Sequence, residues 1–231
     1  ISAIDYAISL TGANKVHVIN LSLGRGVFQS YTTDPLCQAV ERAWKAGIVV
    51  VAAAGNDGRN NNGGINGYGT INAPGNDPYV ITVGGMKSMG TSSRTDDRIA
   101  SYSSKGPSLL DHVVKPDLVA PGNKVASILK TNFWLYTTYP VTSLTSDSVN
   151  ATKYYALNGT SMATPMVTGA VALMLQKSKQ VAPTETLTPA AIKARLMKTA
   201  YKSFPSSSVS VDAVSGQSFT SYYDVFTVGA G

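Results

Sequence analysis

The chain has 231 residues, enough for one large domain or two small ones. An apolar fraction of 43% is that of a packed globular protein, and a charged fraction of 14% excludes a disordered acidic or basic tail. The net charge is +6, but no dense run of lysine or arginine marks a nucleic-acid surface; the apolar stretches are too short to span a bilayer, and the single cysteine, Cys37, excludes an internal disulfide.

Ile1, Ile4, Ala7 and Ile8 recur at helical spacing until Thr11-Gly12 interrupts them. An Ile at position 1, opening directly on this helix, is expected of a piece of a longer chain. Residues 16–21, "VHVINL", predict a buried strand. Asp34-Pro35 opens a helix, with Asp as cap and Pro at the first helical position, and Gly47 ends it. Residues 48–54, "IVVVAAA", are apolar without alternation, so this strand is covered on both faces, as in a parallel sheet between helices. Further strands are predicted in "YVITVGG" from Tyr79 and "PDLVAPG" from Pro116, and Thr188-Pro189 opens a late helix. The alternation predicts an α/β sandwich of three layers around a mainly parallel sheet. Residues 56–74, 86–98 and 130–155 are long loops; the last carries Phe133, Trp134, Tyr136, Tyr139, Tyr154 and Tyr155 and reads as a surface subdomain or as a wall of a cleft. Residues 205–221 are serine-rich and predict a surface excursion.

In "ALNGTSMATPMVTGAVALML", from Ala156, an apolar run follows Asn-Gly-Thr-Ser. Taken alone, Ser161 is the cap of a helix over residues 162–176. The same position is also where the partial positive charge of a helix start would stabilise a developing oxyanion, with Gly159 admitting a substrate backbone. Asn56 follows the apolar strand at its carboxyl end, where ligands bind in α/β sheets. It is either a turn residue or an amide donor to that oxyanion.

Together these segments resemble the subtilisin-like serine proteases. "NGTSMATP" at residues 158–165 is similar to their nucleophile segment, "VVVAAAGNDG" at 49–58 to the one supplying an oxyanion-hole Asn, and "VINLSLG" at 18–24 to the strand lining their main specificity pocket. "NAPGNDPYVITVGG", "ASYSSKGP" and "KPDLVAPG" follow in the family's order. The resemblance implies that Ser161 attacks the scissile carbonyl of a polypeptide substrate, while the Asn56 amide and the Ser161 N–H hold the oxyanion. It implies a substrate slot between Ser22, Leu23 and Gly24 on one wall and Ala53, Ala54 and Gly55 on the other, roomy and apolar, and a cis peptide at Ala73-Pro74. No cofactor is required. A structural calcium or sodium ion is implied at Gly75, Asp77, Val80 and Asp117.

The family's Asp and His motifs do not occur in the chain. His17 and His112 lie in other contexts, His17 within its strand, packed or facing a crossover helix, and His112 in a loop. The expectation is a domain incomplete at its N-terminus and truncated in its last element, inactive by itself and prone to dimerise, whose missing N-terminal part supplies the triad's acid and base. An extracellular or cell-envelope location goes with the resemblance. The alternative is a non-catalytic binding domain of the same fold. An α/β-hydrolase is disfavoured because Ala163 stands where the second Gly of Gly-x-Ser-x-Gly belongs, and dinucleotide binding because no Gly-x-Gly-x-x-Gly follows a strand.

Overall fold

The computed structural model describes residues 1–129, 134–139, 143–144, 153–184, 186–212 and 214–231. The chain begins with α1 (Ser2–Ser9), β1 (Val18–Leu21), α2 (Pro35–Lys45), β2 (Val49–Ala53), β3 (Ile81–Lys87), the short β4 (Arg98–Ile99) and β5 (Leu118–Pro121). After these come β6 (Val125–Leu129), α3 (Trp134–Thr138), β7 (Ser143–Leu144) and β8 (Lys153–Leu157). The long α4 (Thr160–Val181) and α5 (Pro189–Thr199) precede the hairpin of β9 (Ser207–Val211) and β10 (Ser218–Tyr222), and α6 (Val225–Val228) closes the chain.

Strands β1, β2, β3 and β5 run parallel, with Leu21 opposite Ala52, Ala53 opposite Val83, and Val83 opposite Leu118. β4 adds an antiparallel pairing at the far end of β3. Successive side chains of β2 point to opposite faces, and both faces are dry. Val49 and Val51 join Ile81, Val83 and Leu118 under Ala163, Val167 and Val171 of α4 and Ile192 of α5. Val50 and Ala52 join Val80 under Ile4 of α1 and Ala39, Val40 and Ala43 of α2. The unbroken apolar run is the sequence trace of this double coverage.

The helix starts follow local chemistry. The Asp34 carboxylate accepts from the Leu36 and Cys37 amides and Pro35 takes the first helical position, while Thr188 Oγ1 accepts from Ala191 N–H ahead of α5. The Ala73-Pro74 peptide is cis, as are Gly106-Pro107 and Lys115-Pro116. One segment departs from expectation and another, the surface excursion, takes a definite form. Part of the aromatic-rich stretch, with β6, forms an antiparallel sheet of order β6-β8-β7 rather than a loop, although Phe133 lies outside the described residues. The serine-rich stretch contains the β9–β10 hairpin, in which Val209 and Val211 project outward while Phe219 lies under the Arg59 guanidinium.

Candidate active site

The carboxyl ends of β1 and β2 lie side by side, so the segments that follow them, Ser22–Gly24 and Ala54–Asn56, are neighbours. The N-terminus of α4 comes down on both. Gly159 stands at the helix cap with φ 155° and ψ 157°, a conformation that suits glycine and no other residue, and makes no side-chain cap bond. The cap comes instead from across the fold: Asn56 Oδ1 accepts from the Thr160 N–H at 2.9 Å and from Thr160 Oγ1 at 3.1 Å. Thr160, fully buried, also bonds Gly55 through its hydroxyl. Ser161 is therefore the second residue of the helix, not its cap. The expected start at residue 162 is corrected to Thr160, because a tertiary partner satisfies the amide that a local side chain would otherwise cap.

Ser161 is coupled to the opposite wall in both directions. Its Oγ donates to the Ser22 carbonyl at 3.0 Å, and Ser22 Oγ donates to the Ser161 carbonyl at 2.7 Å. The second bond has a covalent origin. Pro165 lies four residues after Ser161 and has no N–H, so the Ser161 carbonyl lacks its helical donor and the Ser22 hydroxyl supplies one. Among the described residues neither the Ser161 N–H nor Asn56 Nδ2 has an acceptor, which leaves two donors free at the turn into α4. Tyr102 holds this turn from behind. Its hydroxyl donates to the Gly122 carbonyl at 2.7 Å and accepts from the Gly159 N–H at 3.1 Å. Burial pushes the Tyr102 phenol up to about 12, the Gly159 N–H acting the other way, so it stays a neutral donor.

The wall residues differ in exposure: Ala53, Ala54 and Gly55 are buried, and Leu23 and Gly24 are exposed. Tyr102 and Thr160 are the contributors that sequence reasoning missed. Both lie inside the recognisable segments, but nothing local announces their long-range bonds.

His17 sits just before β1 and is exposed rather than packed; His112 is exposed in a loop. Neither is a hydrogen-bond partner of Ser161, whose hydroxyl is turned to Ser22.

The positions implied for a cation do not fit one. The Asp117 carboxylate accepts from Lys115 Nζ at 2.8 Å, from Lys193 Nζ at 2.8 Å and from the Thr82 N–H at 2.7 Å. The Val80 carbonyl accepts from the same two ammonium groups, at 3.0 and 2.9 Å, and the Gly75 carbonyl accepts from Thr82 Oγ1. Asp77 uses one oxygen on the Tyr79 N–H; the other is buried without a partner among the described residues. Two lysine side chains thus stand among the oxygens that would have held the metal. Burial alone would raise Asp117, but the ammonium groups outweigh it and hold the carboxyl below its usual range. Burial lowers the Lys115 ammonium to about 8, against the pull of Asp117.

A parallel sheet between helix layers, with a serine at a helix start and an asparagine amide at the adjacent strand end, is the framework of a subtilisin-type hydrolase. The chain belongs to the Subtilase family, whose profile matches residues 1–222. It is 38% identical over 172 residues to serine protease AprX of Bacillus subtilis (strain 168), covering 74% of this chain and 36% of that protein. It is 37% identical over 199 residues to subtilisin DY of Bacillus licheniformis, covering 86% of this chain and 55% of that protein. The chain thus spans little more than half, or less, of these relatives' lengths. Among solved structures, a cold adapted subtilisin-like serine proteinase aligns at a TM-score of 0.51 and 28% identity, over 84% of this chain and 51% of that one. The prenylagaramide maturation protease PagA aligns at 0.59 and 25% identity, over 87% and 57%.

Proposed function

We propose that the chain is the serine-bearing part of a subtilisin-type endopeptidase. Ser161 Oγ attacks the scissile carbonyl to form an acyl-enzyme, and Asn56 Nδ2 with the Ser161 N–H receives the oxyanion. The observation that carries this reading is the bond from the Thr160 N–H to Asn56 Oδ1. It holds the carboxamide at the residue before the nucleophile and leaves its N–H₂ group free. A substrate backbone runs along Ser22, Leu23 and Gly24, with its side chain between that segment and residues 53–55. Gly159 keeps the approach to Ser161 clear.

The attack requires a base. The Ser22 carbonyl accepts the Ser161 proton as a hydrogen bond but cannot remove it. The general base and the carboxylate that orients it therefore come from outside these 231 residues, from the N-terminal part of the same domain. By itself this chain provides a nucleophile, an oxyanion site and a slot, and hydrolyses nothing. Lys115 and Lys193 stand at Asp117 where the resemblance implied a cation. The extracellular or cell-envelope location that the resemblance implies is part of the same proposal.

The test compares the full-length protein with this chain alone, using an unstructured polypeptide substrate and an organophosphonate. Hydrolysis and labelling at Ser161 are expected only in the full-length protein, with both lost in Ser161→Ala. A folded, mature full-length protein that neither cleaves nor labels would establish the binding-domain alternative.

A further inference from the structure

Tyr102 is bonded to both segments that carry the proposed oxyanion donors. Through the backbone it is tied to the Asn56 segment: its carbonyl accepts from the Gly58 N–H at 2.9 Å, and two residues on, the Ser104 N–H donates to the Gly55 carbonyl at 3.0 Å and Ser104 Oγ accepts from the Asp57 N–H at 3.0 Å. These bonds bracket Asn56. The side chain reaches the other way. Its ring lies over Gly85 of β3, where a β-carbon would stand 3.2 Å from Tyr102 Cε2. The Gly159 N–H is shared between the Tyr102 hydroxyl, at 3.1 Å, and the Gly122 carbonyl, at 2.9 Å, and the same hydroxyl donates to that carbonyl at 2.7 Å. Tyr102 Oη, the Gly122 carbonyl and the Gly159 N–H thus close a ring of three hydrogen bonds behind the turn into α4.

The ring decides which amide stays free. The start of α4 offers the N–H groups of residues 159, 160 and 161 in succession. That of Gly159 is held by Tyr102 and Gly122, that of Thr160 by Asn56, and that of Ser161 alone has no acceptor among the described residues. With Gly122 as its only partner, the Gly159 peptide would turn about a single bond, and glycine has no side chain to resist the rotation. The hydroxyl adds a second point of attachment. The Ser161 N–H and Asn56 Nδ2 serve one oxyanion only if their spacing is fixed before the charge develops. We propose that Tyr102 is a positioning residue for acyl transfer: its hydroxyl fixes the Gly159 peptide, and with it the aim of the Ser161 N–H relative to Asn56. Tyr102 acts through these two groups and touches no reacting atom. Its kinetic consequence rests on the reading of Ser161 as nucleophile, whereas the ordering of the turn can be measured without it.

The experiment compares the full-length protein with its Tyr102→Phe variant, which keeps the ring over Gly85 and leaves the Gly159 N–H its bond to Gly122. No buried donor is orphaned, so urea unfolding should be nearly unchanged. The expected result is a fall in kcat of about ten- to a hundredfold with KM within about twofold. Affinity for a peptide boronic acid, whose tetrahedral adduct on Ser161 mimics the oxyanion, should fall by the same factor, while affinity for the acyl-side product peptide stays the same. Amide exchange at Gly159 and Ser161 should quicken in the variant without a change in global stability. An unchanged kcat, or equal losses in boronic acid and product affinity, would overturn the proposal. If the wild type neither cleaves nor takes up the boronic acid, the nucleophile reading fails. The exchange rates still decide whether the hydroxyl orders the turn, and equal rates in both proteins would overturn that too. Should Tyr102→Phe not fold, Tyr102→4-aminophenylalanine decides: it keeps a donor for Gly122 but offers the Gly159 N–H a poor acceptor, and the same split between kcat and KM is expected.

Discussion

At the start of β3 and β5, every oxygen of Asp117 and the carbonyl of Val80 is taken up by Lys115, Lys193 or the Thr82 N–H. At the opposite ends of the parallel strands, beyond β1 and β2, Asn56 Nδ2 and the Ser161 N–H have no partners among the described residues. The difference follows from what each end can tolerate. A buried ion left without a counter-ion costs several kcal/mol, so the ionic end has to be saturated to exist at all. Neutral donors at a water-accessible rim cost little while solvated and are the groups a ligand can engage. Saturation marks the end that holds the sheet together; unsatisfied donors mark the end that can engage a ligand.

The largest expected effect lies at the unsaturated end. In the full-length protein, Ser161→Ala should lower turnover by about 10⁶, a magnitude carried over from subtilisins, with unfolding in urea nearly unchanged. A comparable fall in stability would mean that the Ser161–Ser22 bond is structural.

The saturated end should answer in stability instead. Lys115→Met removes a buried ammonium that serves both Asp117 and Val80, and should destabilise the protein by about 3–5 kcal/mol in urea unfolding. The loss should be the same with excess calcium or with a chelator. Rescue of the variant by calcium would show that the oxygens around Asp117 accept a metal once a lysine is gone.

Asn56→Ala should lower kcat by about 10²–10³ with KM little changed, again a range carried over from subtilisins, because the amide acts on the oxyanion rather than on bound substrate. It also removes the external cap from the Thr160 N–H, so a loss of about 1 kcal/mol of stability should accompany it. A change confined to KM would place Asn56 in substrate binding.

The sequence carried the layers of the fold in plain view. The uninterrupted run ending in Ala54 requires helices on both faces, and Asp34-Pro35 and Thr188-Pro189 cap their helices through neighbours two or three residues away. Ser161 and Asn56 were visible as members of recognisable segments. What stayed hidden depends on partners distant in the chain. The cap of α4 is Asn56, 104 residues before Thr160, so local reasoning assigned the cap to Ser161. Lys115 stands in "KPDLVAPG" in full view, but its burial, and the arrival of Lys193 from α5, exist only after packing. The serine-rich stretch is the surface excursion expected, but its strand pairing went unread. "SSVSV" alternates with the period of a strand, and its serine content hid that signal.

Asp77, with the neighbouring Asn76, breaks the pattern of saturation at the ionic end, and it gives the smallest and most specific effect. Asp77 is fully buried, and one of its oxygens has no partner among the described residues. Burial pushes its carboxyl up to about 6, against the help of the Tyr79 N–H. In the unfolded chain the same carboxyl titrates near its ordinary value of about 4. Between about pH 4 and 6 the folded state therefore holds a proton that the unfolded state has released, and stability falls as the pH rises through this window. Below it both states are protonated and the penalty vanishes. Asp77→Asn keeps the shape and the acceptor for Tyr79 but never ionises. It should match the wild type near pH 4 and exceed it by about 2 kcal/mol at pH 7.5, measured by urea unfolding at both values. A gain of the same size at both pH values would trace the effect to packing rather than charge. No gain at pH 7.5 would mean that the second oxygen of Asp77 is solvated after all.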